Sequence, residues 1–210
     1  MTARKIKKAA RRVTKAEAAV AEVSARRRDN AVVTTLSRLS EVGDQPQLRT
    51  ISGGFIAAGL LVRRSDYLRA GVRMLLAHEL ATLIKNFMKA RVDRTRPRAA
   101  SNRRQSQARL GNRTEKAHTS FPSGHTAGAV AVAEAFGREF PEHRASARVT
   151  AAVVGLAQIP RCAHYPTDVG AGAVIGLVAD AAVAKLWRAV EQAVPAFSRP
   201  EGPPRPPPPV

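Results

Sequence analysis

Five apolar segments, at 51–62, 70–88, 126–136, 148–159 and 169–187, constrain this chain more than any other feature. None alternates apolar and polar residues as a half-buried strand does, and β-branched residues are mixed throughout with Ala and Leu, so all five read as helices. Packed around one core, they make an all-α helical bundle of about five core helices, and 210 residues is close to the size of a single domain. Aromatic residues are only 4% of the chain, so Ala, Val, Leu and Gly carry the apolar content. Such small residues let helix backbones approach closely. Gly170, Gly172 and Gly176 fall near one face of the last segment, which is expected to lie inside the bundle.

The remainder of the chain is strongly basic. Lys and Arg number 35 against 16 Asp and Glu, a formal charge of +19, which implies an anionic partner such as phosphate, nucleic acid or acidic lipid headgroups. The excess is heavy in residues 1–45, expected as a basic, partly helical N-terminal arm that is either solvated or tethered to anionic lipid. The helical domain is expected over 46–192, followed by a Pro-rich tail over 193–210 that ends in Pro-Pro-Pro-Pro-Val and is expected to be disordered. Residues 89–120, polar and crowded with Arg, read as a long loop, and a loop of that length in a compact domain points to a lid or site wall. Residues 1–30 hold no apolar run of the length of a cleaved secretory signal. The single cysteine, Cys162, excludes an intrachain disulfide, and no Cys/His cluster has zinc-ligand spacing.

Three clusters of chemically capable residues stand at the ends of apolar segments. Lys89 is followed seven residues later by Arg96 and Pro97, which supplies a point charge and a planar fork of donors for a phosphoryl group. Pro122-Ser123-Gly124-His125 immediately precedes the third segment: Ser123 suits an N-cap, Gly124 lets the backbone approach an anion, and His125 stands where it can protonate a leaving alkoxide. His164 and Asp168 lead into the fifth segment, four residues apart. At that spacing a carboxylate can fix the imidazole tautomer and leave the other ring nitrogen free to attack phosphorus.

Together these clusters resemble the signature of the phosphatidic acid phosphatase type 2 superfamily, which includes lipid phosphatases, bacterial acid phosphatases and vanadium haloperoxidases. Its first part, a Lys, six residues and Arg-Pro, is matched by Lys89 and Arg96-Pro97; its second, Pro-Ser-Gly-His, by Pro122 to His125; its third ends in His164 and Asp168. The resemblance implies that Lys89, Arg96, Ser123 and Gly124 hold the phosphoryl oxygens, with His125 as general acid, His164 as nucleophile and Asp168 orienting it. It implies no metal and no cofactor. One position departs from the pattern: Gln158 stands where the third part has Arg, and Arg161, three residues before His164, is the cation placed to substitute for it.

The expected function is hydrolysis of a phosphomonoester or diphosphate, of a lipid above all, through a phosphohistidine intermediate. The family has membrane and soluble branches, and five apolar segments favour a multi-pass membrane protein, with Arg73, His78, Glu79 and Glu134 turned toward the bundle interior. Gln158 motivates an alternative, a catalytically impaired phosphate- or lipid-binding homologue. A basic nucleic-acid-binding protein is a third reading, although no nucleic-acid motif accompanies the charge.

Overall fold

The computed structural model describes residues 3–27, 29–100 and 107–193. The expected tail therefore lies outside the described residues, apart from its first position. The fold is all-α: α1 (Ala3–Arg27), α2 (Ala31–Leu39), α3 (Gln45–Leu61), α4 (Ser65–Lys89), α5 (Gly124–Glu139), α6 (Arg144–Ala157) and α7 (Pro166–Ala193). Each of the five apolar segments falls on one of the helices α3 to α7.

Helix α4 packs against α3, α5 and α7, and α5 also packs against α6 and α7. The seams are built from small side chains at helical spacing: Ala70, Ala77 and Ala81 on α4, Ala127, Ala131 and Ala135 on α5, and Ala179 on α7 are buried together. Helices α5 and α7 approach closely at two glycines. A Cβ on Gly172 would stand 2.5 Å from the backbone oxygen of Ser123, and one on Gly176 would stand 2.7 Å from that of Ala127. Neither neighbour is a flexible side-chain tip, so Gly172→Ala is expected to cost about 1–3 kcal/mol, read as a lowered midpoint in thermal unfolding.

The two ends of the bundle differ. At one end Phe55, Tyr67, Phe136 and Phe140 form a cluster of ring contacts. Around it lie the ion pairs Arg73–Glu139, Arg138–Asp180 and Arg148–Glu134. Trp187, the single tryptophan, lies there beneath the Arg73 guanidinium. Of the charged residues expected inside, Arg73, His78 and Glu134 are buried. Glu79 is half-exposed and paired instead with Arg49 of α3 at 2.6 Å, because a surface partner holds it there.

At the other end, the described part of residues 89–120 adds a short strand pair to the expected long loop. Strands β1 (Val92–Asp93) and β2 (Arg109–Leu110) pair antiparallel, and Arg94 bridges to Thr119. The Asp93 carboxylate accepts the backbone N–H of Arg113 at 2.8 Å, a side-chain anchor with no periodic signature in the sequence. Among the described residues α7 is the one helix long and apolar enough to cross a membrane.

Candidate active site

The C-terminal ends of α4 and α6 and the N-terminal ends of α5 and α7 meet at the end away from the aromatic cluster. Between them lies a cavity of about 330 Å³ lined by Lys85, Lys89, Arg96, Arg98, Gly124, His125, Gln158, Arg161 and His164, with Glu41, Gly43, Asp44, Gln45 and Gln47 along its rim. Six of the eight candidate site residues read from the sequence thus share one cavity. Ser123 and Asp168 lie behind its wall.

Each cation is set by its local backbone. Lys89 closes α4 and donates to the Thr119 carbonyl at 2.5 Å. Arg96 follows in extended backbone before Pro97, and one of its nitrogens donates to the Ala163 carbonyl at 3.3 Å. Burial, with Arg98 adding to it, lowers its pKa to about 10, which leaves it a cation at neutral pH. Ser123 caps α5, its hydroxyl accepting from the Thr126 backbone N–H and from the Thr126 hydroxyl at 2.9 Å. The Ser123 side chain therefore serves the turn, while Gly124 presents backbone to the cavity. A Cβ on Gly124 would meet the Lys85 side chain at 3.0 Å.

Behind the cavity, Asp168 is fully buried and held on every side. One oxygen accepts from Arg94 at 2.5 Å; the other accepts from the Ser120 hydroxyl at 2.6 Å and the Tyr165 N–H at 2.9 Å. His164 Nδ1 stands 3.7 Å from that second oxygen, farther than a hydrogen bond reaches, and has no hydrogen-bond partner among the described residues. The carboxylate is thus fixed, and the imidazole has one short step to make toward it.

Burial pushes the His164 pKa down to about 4, against the opposing pull of Asp168 and with help from Arg96 and Lys89. The ring is neutral, and so nucleophilic, at physiological pH. In the unfolded chain it titrates near 6.5, so below that pH the unfolded state takes a proton that the folded state refuses. Stability contributed by this group is present above pH 6.5 and is lost as pH falls toward 4, by about 3 kcal/mol. Unfolding measured from pH 7 to 4 is expected to show this limb, and His164→Ala is expected to flatten it relative to the parent; parallel limbs in the two proteins would count against it.

The region of the departure is also ordered. Gln158 is fully buried, and its amide donates to the Val154 carbonyl at 2.9 Å and to the Ser40 hydroxyl at 3.3 Å, while its oxygen has no partner among the described residues. Arg161 donates to the same Ser40 hydroxyl at 3.2 Å. Gln158 and Arg161 therefore converge on one side chain, the Ser40 hydroxyl.

Several functional neighbours were not found from the sequence. Lys85, one turn before Lys89 on the same helix face, carried a readable signal in its spacing. Ser40, Glu41 and Asp44 come from the turn between α2 and α3, and Asp44 stands 3.7 Å from His125 Nε2. Residues 1–45, expected as an arm, also reach this end through Glu17, which pairs with Arg94 at 2.7 Å. Nothing local in the sequence marks these partners.

The family model described as the PAP2 superfamily matches residues 70–191. No curated protein matches the chain. Among solved structures, LpxE of Aquifex aeolicus aligns with a TM-score of 0.57 at 20% identity, covering 79% of this chain and 92% of that one. The first transmembrane PAP2 type phosphatidylglycerolphosphate phosphatase, from Bacillus subtilis, aligns with a TM-score of 0.62 at 21% identity, covering 85% of this chain and 87% of that one. At these identities the likeness is one of fold. The matched family span opens in α4 and closes in α7, so α1 to α3 lie outside it.

Proposed function

The chain belongs to the PAP2 superfamily, and from that premise we propose that it is a lipid phosphatase working through a phosphohistidine. The observation that carries the reading is the convergence of His164, His125, Lys89, Arg96 and Arg161 on one cavity. Fixed cations and the free N–H groups that open α5 hold the equatorial oxygens of the phosphoryl group. His164 attacks phosphorus through its second ring nitrogen, the P–O bond to the leaving group breaks, and His125 gives that alkoxide its proton. Water then cleaves the P–N bond, His125 acting as base, and releases phosphate. Charge stabilisation in this scheme comes from Lys89, Arg96 and Arg161, so no step calls on a metal or a cofactor.

The catalytic unit in this reading is 46–192, and it is embedded in a membrane as a multi-pass protein. Support comes from apolar side chains left at the surface of several helices: Leu60 and Leu61 on α3, Leu83 and Phe87 on α4, Val149 and Leu156 on α6, Val174 and Leu186 on α7 all exceed half exposure. The phosphorylated substrate is then met at the lipid surface, and the basic N-terminal segment faces its anionic headgroups.

Gln158 favours a second reading, a homologue that binds a phosphorylated lipid without turning it over. Phosphate release by detergent-purified protein, with chelator present, over a panel of lipid and soluble phosphoesters separates the two. Release from lipid phosphates is expected. Saturable lipid-phosphate binding with no release from any member of the panel would establish the second reading.

A further inference from the structure

The scheme above makes no use of a buried ionic chain behind the cavity. Arg94 and Glu17 are only 4% and 5% exposed. One Arg94 nitrogen donates to Asp168 at 2.5 Å and to the Thr167 hydroxyl at 2.7 Å, and the other donates to Glu17 at 2.7 Å. The second Glu17 oxygen accepts from the Thr167 backbone N–H at 3.0 Å and from its hydroxyl at 2.5 Å. The Tyr165 ring closes the face of the guanidinium, 4.1 Å from ring centroid to carbon. Glu17 belongs to α1 and lies far outside the family match.

We propose that Glu17 is a positioning residue for the reaction, acting through Arg94 and the first turn of α7 to set the carboxylate that faces His164. The proposal rests on the phosphohistidine reading for its kinetic consequence and on geometry alone for its structural one. Two effects run through the same side chain. The Thr167 N–H is one of the donors that a helix start leaves without an intrahelical partner, and Glu17 satisfies it from another helix, which pins the turn that carries Asp168. The charge matters as well. With Glu17 in place, Arg94 is shared between two carboxylates, and the chain Glu17–Arg94–Asp168 carries a net negative charge toward His164. Without it, Arg94 is drawn wholly onto Asp168, and the carboxylate has less negative potential left to stabilise an imidazolium. In neither effect does Glu17 touch the substrate, so the loss falls on kcat and leaves KM nearly unchanged.

Docking of α1 by itself would make Glu17 a fold element without influence on His164, and the test must tell these apart. Glu17→Gln keeps the shape and an oxygen for Thr167 while removing the charge. With dioctanoyl phosphatidic acid and p-nitrophenyl phosphate as probes, kcat is expected to fall about 10- to 30-fold with KM within about threefold, in the range seen for outer partners of catalytic groups. Glu17→Asp is expected to regain most of that loss. The second readout needs no turnover: in protein labelled with ¹⁵N-histidine, the His164 ring-nitrogen signals, identified by their disappearance in His164→Ala, are expected to move in Glu17→Gln and to titrate at a different pH. Wild-type kcat together with unmoved His164 signals would overturn the proposal. Absence of phosphate release from the parent protein would sink the phosphatase reading instead, and the nitrogen signals would still decide the role of Glu17. If Glu17→Gln does not fold, Glu17→Asp is read in the same two ways; smaller changes of the same kind support the proposal, and none in either overturns it.

Discussion

Replacing His164 by alanine is expected to reduce phosphate release by about 10³-fold or more while the protein stays folded. Loss of a covalent nucleophile removes the intermediate itself, and in this scheme His125 is already committed to the proton transfers. Stability should suffer little by comparison. The His164 ring is buried with one nitrogen lacking a hydrogen-bond partner among the described residues, so truncation sacrifices packing but also removes a polar atom left unsatisfied there. Circular dichroism and a thermal melt of the variant accompany the kinetics. Retention of even a tenth of parental kcat in a folded variant would take His164 out of the chemistry.

Arg161→Gln is expected to lower kcat/KM about 100-fold, the scale of one charge-assisted contact to a phosphoryl group in a partly enclosed site. Lys89 and Arg96 remain, so activity is impaired and not abolished. The informative partner is the double variant Arg161→Gln with Gln158→Arg, which moves the guanidinium back to the place it has in the family signature. Part of the loss should return, limited by the fit of a longer side chain where Gln158 is fully buried against Ser40 and the Val154 carbonyl. A single variant within threefold of the parent would show that Arg161 points away from the phosphoryl group during turnover.

The bundle was legible in the sequence because its determinants are local. Apolar runs that do not alternate as strands do, and Ser123 as a cap, each act within a few residues, and the five segments fall on α3 to α7. The three clusters at the segment ends were legible for the same reason, since a bundle brings the ends of neighbouring helices together. What could not be read are partners joined across long sequence separations. Arg94 to Glu17 spans 77 residues and Gln158 to Ser40 spans 118, and neither pairing leaves a periodic trace. The short β-pairing within 89–120 was missed because two-residue strands fall below any pattern that a sequence can display.

The location of the one tryptophan has a practical consequence for optical work on this protein. Trp187 sits under Arg73, roughly 28 Å along α7 from Asp168 at 1.5 Å per residue. Its intrinsic emission will therefore follow loosening of the distal end of the bundle and stay nearly blind to ligand arriving at the cavity. Cys162, two residues before His164 and the single thiol in the chain, offers the complementary vantage point, although its burial means that a reagent reaches it only when the turn around it opens. Emission and thiol labelling, recorded on the same sample, would thus time the two ends of the molecule separately.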